Sequence, residues 1–169
     1  MDDGLERNPL VSRRALAAHH ADAFAWALSL TRYDAAAAAD VMQQSYLVIV
    51  DGSARFDARS SLKTWLFGVV RRCAHRLHRD LRRDLALVER FATEPRNEGA
   101  NGEDPRGADI GAALATLSRR QRDVIELVVF SEFTVEEAAA VIDISVGSAR
   151  THYHRAKAAL RERLGDDVD

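Results

Sequence analysis

Residues 134–164, TVEEAAAVIDISVGSARTHYHRAKAALRERL, have the pattern of two helices joined by a tight turn. Thr134 and Glu137 have the spacing of a capping box, which predicts that the first helix begins there. Asp143 falls where the chain must turn, and Asp enters the left-handed backbone region with less strain than most residues. Ser145 is a favourable N-cap for the second helix. The stretch therefore predicts a helix pair whose turn needs no glycine.

The second helix of the pair has an apolar side and a cationic side. Apolar residues recur at steps of three and four, which indicates one buried stripe. The stripe consists of Val146, Ala149, Tyr153, Ala156, Leu160 and Leu164. The opposite side carries Arg150, Thr151, His154, Arg155 and Lys157. A basic helix after a tight turn is typical of a helix-turn-helix, whose second helix enters the major groove of DNA. The alternative is a helical hairpin whose basic face is only solvated.

The composition indicates a soluble, mostly helical protein. The chain has 169 residues, of which 47% are hydrophobic and 30% are charged, and its formal net charge is −2. This length suits one or two domains. The single cysteine, Cys73, cannot form an internal disulfide, and no apolar run resembles a membrane span or a signal peptide. We therefore expect a cytoplasmic protein without membrane insertion.

The first half of the chain predicts helices separated by clear breaks. A first helix is expected over residues 10–31, and its inner side carries Leu16, His20, Phe24, Ala27 and Thr31. Asp34 is expected to cap a second helix over residues 35–50. That helix packs Val41, Met42, Ser45, Tyr46, Ile49 and Val50 inward. Residues 51–61, DGSARFDARSS, have the Gly, Ser and Asp content of an exposed loop.

A long third helix is expected to begin after Ser60 or Ser61. Its apolar stripe keeps a helical period for more than seven turns, through Leu62, Leu66, Val69, Cys73, Leu77, Leu81, Leu85 and Val88. The other side is rich in arginine and includes Arg71 and Arg72. Cations beside the rings of Trp65 and Phe67 suit single-stranded DNA. Rings at this spacing are equally compatible with a place in the core.

The composition changes at residues 93–109, TEPRNEGANGEDPRGAD. This acidic stretch contains two of the three prolines, which predicts a flexible linker. It separates two small helical domains, residues 1–92 and 110–169, in an all-α fold. The second domain is expected to begin with a short helix through Ile110, Leu114 and Leu117. Ser118 and Gln121 then form a capping box for a helix with Val124, Leu127, Val128 and Phe130 inside.

Three potential metal ligands, Cys73, His75 and His78, lie within six residues. On one helix, Cys73 and His75 point about 200° apart, so they cannot bind the same ion. The sequence contains no glycine-rich phosphate loop, nucleophile elbow or paired carboxylates that stand out. We therefore expect no enzymatic activity, no cofactor and no metal site.

The two halves together resemble the extracytoplasmic-function (ECF) sigma factors, small bacterial initiation factors that keep only the second and fourth conserved regions. Residues 117–164 are similar to region 4 from end to end. DVMQQSYLVIV, residues 40–50, and RFDARSSLKTWLFGVV, residues 55–70, are similar to region 2. The resemblance extends from about Leu16 to Leu164. Two such halves across a short acidic linker make it specific, since a helix-turn-helix alone is shared with many regulators.

The resemblance implies that the protein gives core RNA polymerase its promoter choice. Region 4 is expected to dock on the β flap and to read the minus-35 element through Arg150, Thr151, His154, Arg155 and Lys157. Arg155 is expected at a guanine and Arg150 at a phosphate. Region 2 is expected to bind the β′ clamp helices through Asp40, Gln43 and Gln44. It is also expected to melt the minus-10 element and capture a flipped base near Arg55, Phe56, Ser60, Ser61, Trp65, Arg71 and Arg72.

The sequence departs from the family pattern at two places. Alanines stand at positions 37 to 39 and Gln44 stands where the family usually has acids. Arg72 and Arg76 stand where Asn and Asp are common. Phosphorylation would restore negative charge near the alanines, about −1.5 to −2 for each phosphate. The candidate acceptors for a Ser/Thr kinase are Ser45, Ser53, Ser60, Ser61 and Thr64. The alternative is control by an anti-sigma factor, the commonest mode in this family.

Two other functions are compatible with parts of the sequence. A sigma-like decoy would bind an anti-sigma factor without promoter activity, but it would not need Arg150, Arg155 and Lys157 on a groove-reading face. A polymerase-independent repressor would not need the first half, and it would usually dimerise on a palindrome. A sigma factor is therefore the favoured function.

Overall fold

The computed structural model describes residues 7–89 and 111–164, and all regular elements in these ranges are helical. The first range contains α1 (Arg13–Ala18), α2 (His20–Leu30), α3 (Ala35–Val50) and α4 (Leu62–Glu89). The second contains a helical turn at residues 111–115, α5 (Arg119–Ile125), a π-helix (Glu126–Phe130), α6 (Val135–Ile142) and α7 (Val146–Leu164). The all-α prediction is confirmed. The expected linker and Ile110 lie outside the described residues.

The helix boundaries of the second half follow the predicted capping signals. Thr134 and Glu137 form the expected capping box at the start of α6, and Ser118 forms the other at the start of α5. Asp143 turns the chain in the left-handed conformation, with φ of 55°. The Ser145 hydroxyl accepts a hydrogen bond from the first turn of α7 at 3.1 Å. The predicted helix-turn-helix is therefore present as α6 and α7.

The prediction of a single helix over residues 10–31 is wrong. The chain leaves helical geometry at His19, where φ is −108° and ψ is 5°, and this break separates α1 from α2. An unbroken helix would have placed His20 inward beside Leu16. The break instead turns His20 to the surface, where its ring bonds the Tyr46 hydroxyl at 2.8 Å, while Leu16 and Trp26 both remain buried.

Helix α4 is the central element because helices from both halves pack against it. Leu66, Phe67 and Val70 are fully buried there. The ring of Phe67 lies 6.3 Å from that of Trp26 in α2, and 4.8 Å from that of Phe133, which precedes α6. Phe67 is therefore a core residue. One hydrophobic core joins the two halves of the chain.

Polar groups also cross between the halves. The Lys63 ammonium donates a hydrogen bond to the Ser131 carbonyl at 2.9 Å and lies 4.9 Å from the centre of the Phe133 ring. It also lies 3.6 Å from the Asp22 carboxylate.

A second, smaller core belongs to the C-terminal half alone. It consists of Ala113, Leu114, Leu117, Ile125, Ala156 and Leu160.

Besides His20, three side chains predicted to point inward are exposed: Val50, Leu81 and Phe130. Val50 is the last residue of α3. Among the side chains of α4 that the structure describes, Ala74 is the last that is fully buried, and Leu81 lies beyond it. Phe130 is exposed because the helix changes to π geometry over Glu126–Phe130, which rotates its side chains away from the α-helical pattern. Phe133 occupies the core instead.

Cys73 is a buried free cysteine. Among the described residues, no three His, Cys, Asp or Glu side chains are placed to hold a metal ion. Within residues 7–89 and 111–164, no helix has both the length and the apolar character of a membrane span.

Glu126 makes the stability of this fold depend on pH. Its side chain is buried, and burial raises its pKa to about 7, although a hydrogen bond with Ser29 opposes the shift. Since the folded pKa lies above the ordinary value of 4.5, the stabilising contribution is complete below pH 4.5 and is lost as pH rises through 7.

The substitution Glu126→Gln should remove this loss, because the amide is neutral at every pH. We expect the variant to gain about 3 kcal/mol over the unmodified chain at pH 8 and almost nothing at pH 4.5. Urea unfolding at both pH values measures the difference. Glu132→Gln, at an exposed carboxylate, is the control. Equal effects of Glu126→Gln at the two pH values would contradict the prediction.

Candidate nucleic-acid interface

The basic face of α7 is presented to solvent, as the sequence predicts. Ala149, Ala156 and Leu160 are buried against the rest of the C-terminal half, which fixes the rotation of the helix. The opposite side chains are therefore outside. Arg150, Thr151, His154 and Arg155 are exposed, and Lys157 is half-buried.

The five polar residues of this face differ in their partners. The Arg150 guanidinium donates to the Glu136 carboxylate of α6 at 2.7 Å. That hydrogen bond is the largest cause of the lowered pKa of Glu136. The Thr151 hydroxyl donates to the Gly147 carbonyl at 3.0 Å. Within the described residues, the Arg155 guanidinium has no intramolecular hydrogen bond or ion pair. Arg155 is thus the cation on this face best able to accept a new partner.

The loop over residues 51–61 and the start of α4 bring together five of the residues predicted for the minus-10 element. The rings of Phe56 and Trp65 lie 5.3 Å apart and are tilted by 52°. The Trp65 indole donates to the Arg55 carbonyl at 3.0 Å. Ser61 caps α4 by accepting from the Thr64 amide at 3.1 Å, and the Ser60 hydroxyl donates to the Ser61 carbonyl at 3.3 Å. The result is a half-buried aromatic pair beneath a polar loop.

Arg71 does not lie with that group, and its expected place on the outer side of α4 is wrong. Its side chain is 9% exposed and pairs with Asp123 of α5, which is 5% exposed, at 3.3 Å. Burial is the largest cause of both pKa shifts, lowering the pKa of Arg71 and raising that of Asp123. Because both charges lose water on burial, such a pair contributes less net stability than its mutual attraction alone would give.

A cavity of about 190 Å³ lies between α3, the loop and α4. It is lined by Gln44, Val48, Ser53, Ala54, Val69, Arg72, Cys73 and Arg76. Arg72 and Arg76 are exposed, so the cavity has a cationic rim. Of the residues predicted to bind core polymerase, Gln44 lies here.

The other two predicted core-binding residues, Asp40 and Gln43, are exposed on α3. Ala36 and Ala39 are exposed as well, and their spacing places them on the same face. Ala38 is buried, and Ala37 is half-buried. Asp40 is therefore the acid on this face.

The predicted phosphorylation sites differ in accessibility. Ser45 and Thr64 are buried, and the Ser45 hydroxyl donates to the Val41 carbonyl at 2.7 Å. Ser53 and Ser61 are exposed, and Ser60 is half-buried. In this fold, a kinase would reach only these three of the five candidates.

Asp123, which pairs with Arg71, was not predicted. It is one acid within a charged helix, and its burial depends on the contact between the two halves. No local pattern in the sequence identifies such a pair.

Two family models match the chain. Sigma-70 region 2 matches residues 16–84, and Sigma-70 region 4 matches residues 108–160. Together the two ranges cover well over half of the 169 residues.

Two similar proteins are named as ECF RNA polymerase sigma factors. The chain is 28% identical over 141 residues to the ECF RNA polymerase sigma factor EcfG of Rhodopseudomonas palustris, covering 83% of this chain and 77% of that one. It is 29% identical over 130 residues to the ECF RNA polymerase sigma factor SigF of Caulobacter vibrioides, covering 74% and 69%.

Solved structures share the fold. The sigma factor RpoE from Bartonella quintana, in a co-crystal structure with the anti-sigma factor NepR, has a TM-score of 0.71 and 27% identity, over 92% of this chain and 97% of that one. CnrH, in complex with the cytosolic domain of CnrY, has a TM-score of 0.60 at 24% identity, a similarity of fold alone. Matched in both regions and in fold, this chain belongs to the ECF sigma factors, transcription initiation factors that direct RNA polymerase to promoters.

Proposed function

We propose that this sigma factor reads the minus-35 element through α7, with Arg155 as the main base-reading residue. The observation that carries the proposal is the exposed Arg155 guanidinium, which has no partner in the described part of the chain. Its planar fork matches the two major-groove acceptors of guanine. Arg150 is better suited to a phosphate, because Glu136 holds it at the edge of the helix pair.

Substitution of Arg155 by Ala should lower discrimination at one minus-35 position by about 1–3 kcal/mol. Run-off transcription with core polymerase, from a promoter library randomised over the minus-35 element, measures this preference. Arg163→Ala removes an exposed cation from the last turn of the same helix and is the matched control. A uniform loss across all sequences would instead make Arg155 a phosphate contact.

The minus-10 element, in this proposal, is melted by the loop over residues 51–61 together with Phe56 and Trp65. Single strands bind where cations follow the phosphates and rings stack on bases. The half-buried aromatic pair offers such rings, and exposed Arg72 offers a cation at the neighbouring cavity. Melting then needs only preferential binding of the unpaired strand.

Core polymerase is expected to bind region 2 at the β′ clamp helices, through the face of α3 that carries Asp40 and Gln43, and region 4 at the β flap. The double substitution Ala36→Glu and Ala39→Glu should strengthen binding to core polymerase at low salt, since exposed pairs contribute about 0.2–1 kcal/mol each. The control, Ala17→Glu with Ala18→Glu, adds the same charge to exposed positions on α1. Equal affinities for all three chains would exclude this face from the contact.

An anti-sigma factor is the proposed regulator, and it would hold the two halves together. The two promoter elements lie about 25 base pairs apart, roughly 85 Å of duplex, whereas a compact chain of this length has a radius of gyration of about 15 Å. The packed arrangement also buries Arg71. The halves must therefore separate to bind both elements. A related sigma factor of similar fold has been crystallised with its anti-sigma factor.

Asp123→Ala should shift the free chain towards a separated form, because an unpaired buried Arg71 costs about 3–5 kcal/mol. Small-angle scattering should show a larger radius of gyration, with helix content retained by circular dichroism. Asp80→Ala removes only an exposed partner of Arg83 and should leave the radius unchanged. An unaltered radius for Asp123→Ala would show that the pair does not hold the halves together.

A further inference from the structure

We propose that residues 7–11 position the minus-10 loop, and that Asn8 is the positioning residue. The inference rests on the proposed function, in which the loop over residues 51–61 receives the unpaired strand. The region 2 match begins at residue 16, so this segment lies ahead of the matched part of the chain.

Asn8 is an interior residue although it precedes the first helix. Its side chain is 2% exposed. The amide nitrogen donates to the carbonyl of Ile49 in the last turn of α3, and to the carbonyl of Ala54 at 2.9 Å. The amide oxygen accepts from the backbone N–H of Phe56 at 3.0 Å. One side chain thus joins the end of α3 to the middle of the loop.

Arg7 fits the first turn of the same loop. Its guanidinium donates to the Asp51 carbonyl at 2.8 Å. Gly52 has φ of 78°, and a Cβ atom there would lie 2.8 Å from the Cβ of Arg7. Only glycine allows this approach with this backbone, so the loop and the segment ahead of α1 are shaped to each other.

The bonds of Asn8 lead directly to the aromatic pair. The N–H of Phe56 donates to Asn8, and the ring of Phe56 packs against Trp65. The Trp65 indole in turn donates to the carbonyl of Arg55, the residue before Phe56. Because Asn8 fixes the backbone at Phe56, it also fixes the position and tilt of the two rings on which a base would stack. Asn8 itself is buried, so it acts through Phe56.

A segment that only stabilised the fold would have a different signature. Loss of such a segment would lower transcription from every promoter in the same proportion. Loss of a positioning residue would reduce the preference among minus-10 sequences while leaving the preference among minus-35 sequences intact. The ratio of these two preferences separates the two roles.

The test compares Asn8→Ala with Ser12→Ala in the full chain with core polymerase. Ser12 caps α1 by accepting from the Ala15 amide at 3.1 Å, so its loss weakens the neighbouring helix without touching the loop. Run-off transcription from promoter libraries, randomised over the minus-10 or the minus-35 element, gives both preferences. Hydrogen exchange of the amides of residues 51–61 follows the loop without DNA.

We expect Asn8→Ala to reduce the preference among minus-10 sequences about tenfold and to leave the preference among minus-35 sequences unchanged. Hydrogen exchange of the loop amides should become faster, because two carbonyls and one amide lose a buried partner. Ser12→Ala should do neither. Arg7→Ala, at an exposed position, should reduce the minus-10 preference about threefold. This variant replaces Asn8→Ala in the test if Asn8→Ala does not fold. Unchanged minus-10 preference in the folded variant, or an equal loss in Ser12→Ala, would overturn the proposal. If the unmodified chain showed no minus-10 preference, the proposed function would fail, and loop exchange would still decide whether Asn8 holds the loop.

Discussion

The contact of Phe67 with rings from both halves of the chain is the interaction on which the arrangement of this protein depends. Its side chain is fully buried between Trp26 and Phe133. Complete burial of such a side chain contributes roughly 1.5–3 kcal/mol, with about 0.5–1.5 more for each favourable ring pair. Phe67 lies on α4, the helix that follows the loop proposed to bind the minus-10 element. The packing of region 4 and the placement of that loop therefore share one element.

The polar contacts around this core have a different effect. Lys63 reaches both the Ser131 carbonyl and the Asp22 carboxylate, and Arg71 reaches Asp123. Lys63 is half-buried and Asp22 is exposed, whereas Arg71 and Asp123 are both buried. A buried ion pair contributes little net stability but tolerates few alternative geometries. The apolar core therefore supplies attraction between the halves, and the charged groups select one orientation. Such a contact can be specific and still be separable, as the proposed binding of both promoter elements would need.

Local chemistry explains which parts of the fold were predictable. Capping residues act within one turn, so Asp34, Ser118 and Thr134 fixed three helix starts that the structure confirms. The break at His19 and the π geometry before Phe130 depend on packing against distant residues, and no nearby Gly or Pro marks them. Tertiary packing overrode the local pattern in both cases.

The same distinction applies to the candidate site. The exposed face of α7 was predictable because its buried stripe is periodic, and a periodic stripe fixes the opposite side. The burial of Arg71 was not predictable, because nothing in the local sequence distinguishes it from the other arginines of α4. Only the contact with Asp123 of α5 does so. Asn8 had no signal either, because a single polar residue ahead of a helix normally indicates a surface turn. These residues are defined by contacts across more than forty positions of sequence.

The ion pair between Arg150 and Glu136 has a consequence for how this helix-turn-helix responds to ionic strength. A cation that is already neutralised by a protein carboxylate must exchange that partner before it can neutralise a DNA phosphate. When Arg150 neutralises a phosphate, a condensed cation leaves the DNA, but the Glu136 carboxylate that loses its partner attracts another cation. The net release of ions is smaller than for an unpaired arginine, so affinity falls less steeply with salt. With Arg150 at the phosphate proposed for it, the pair would weaken non-specific attraction to duplex DNA and leave a larger share of binding to groups that recognise bases.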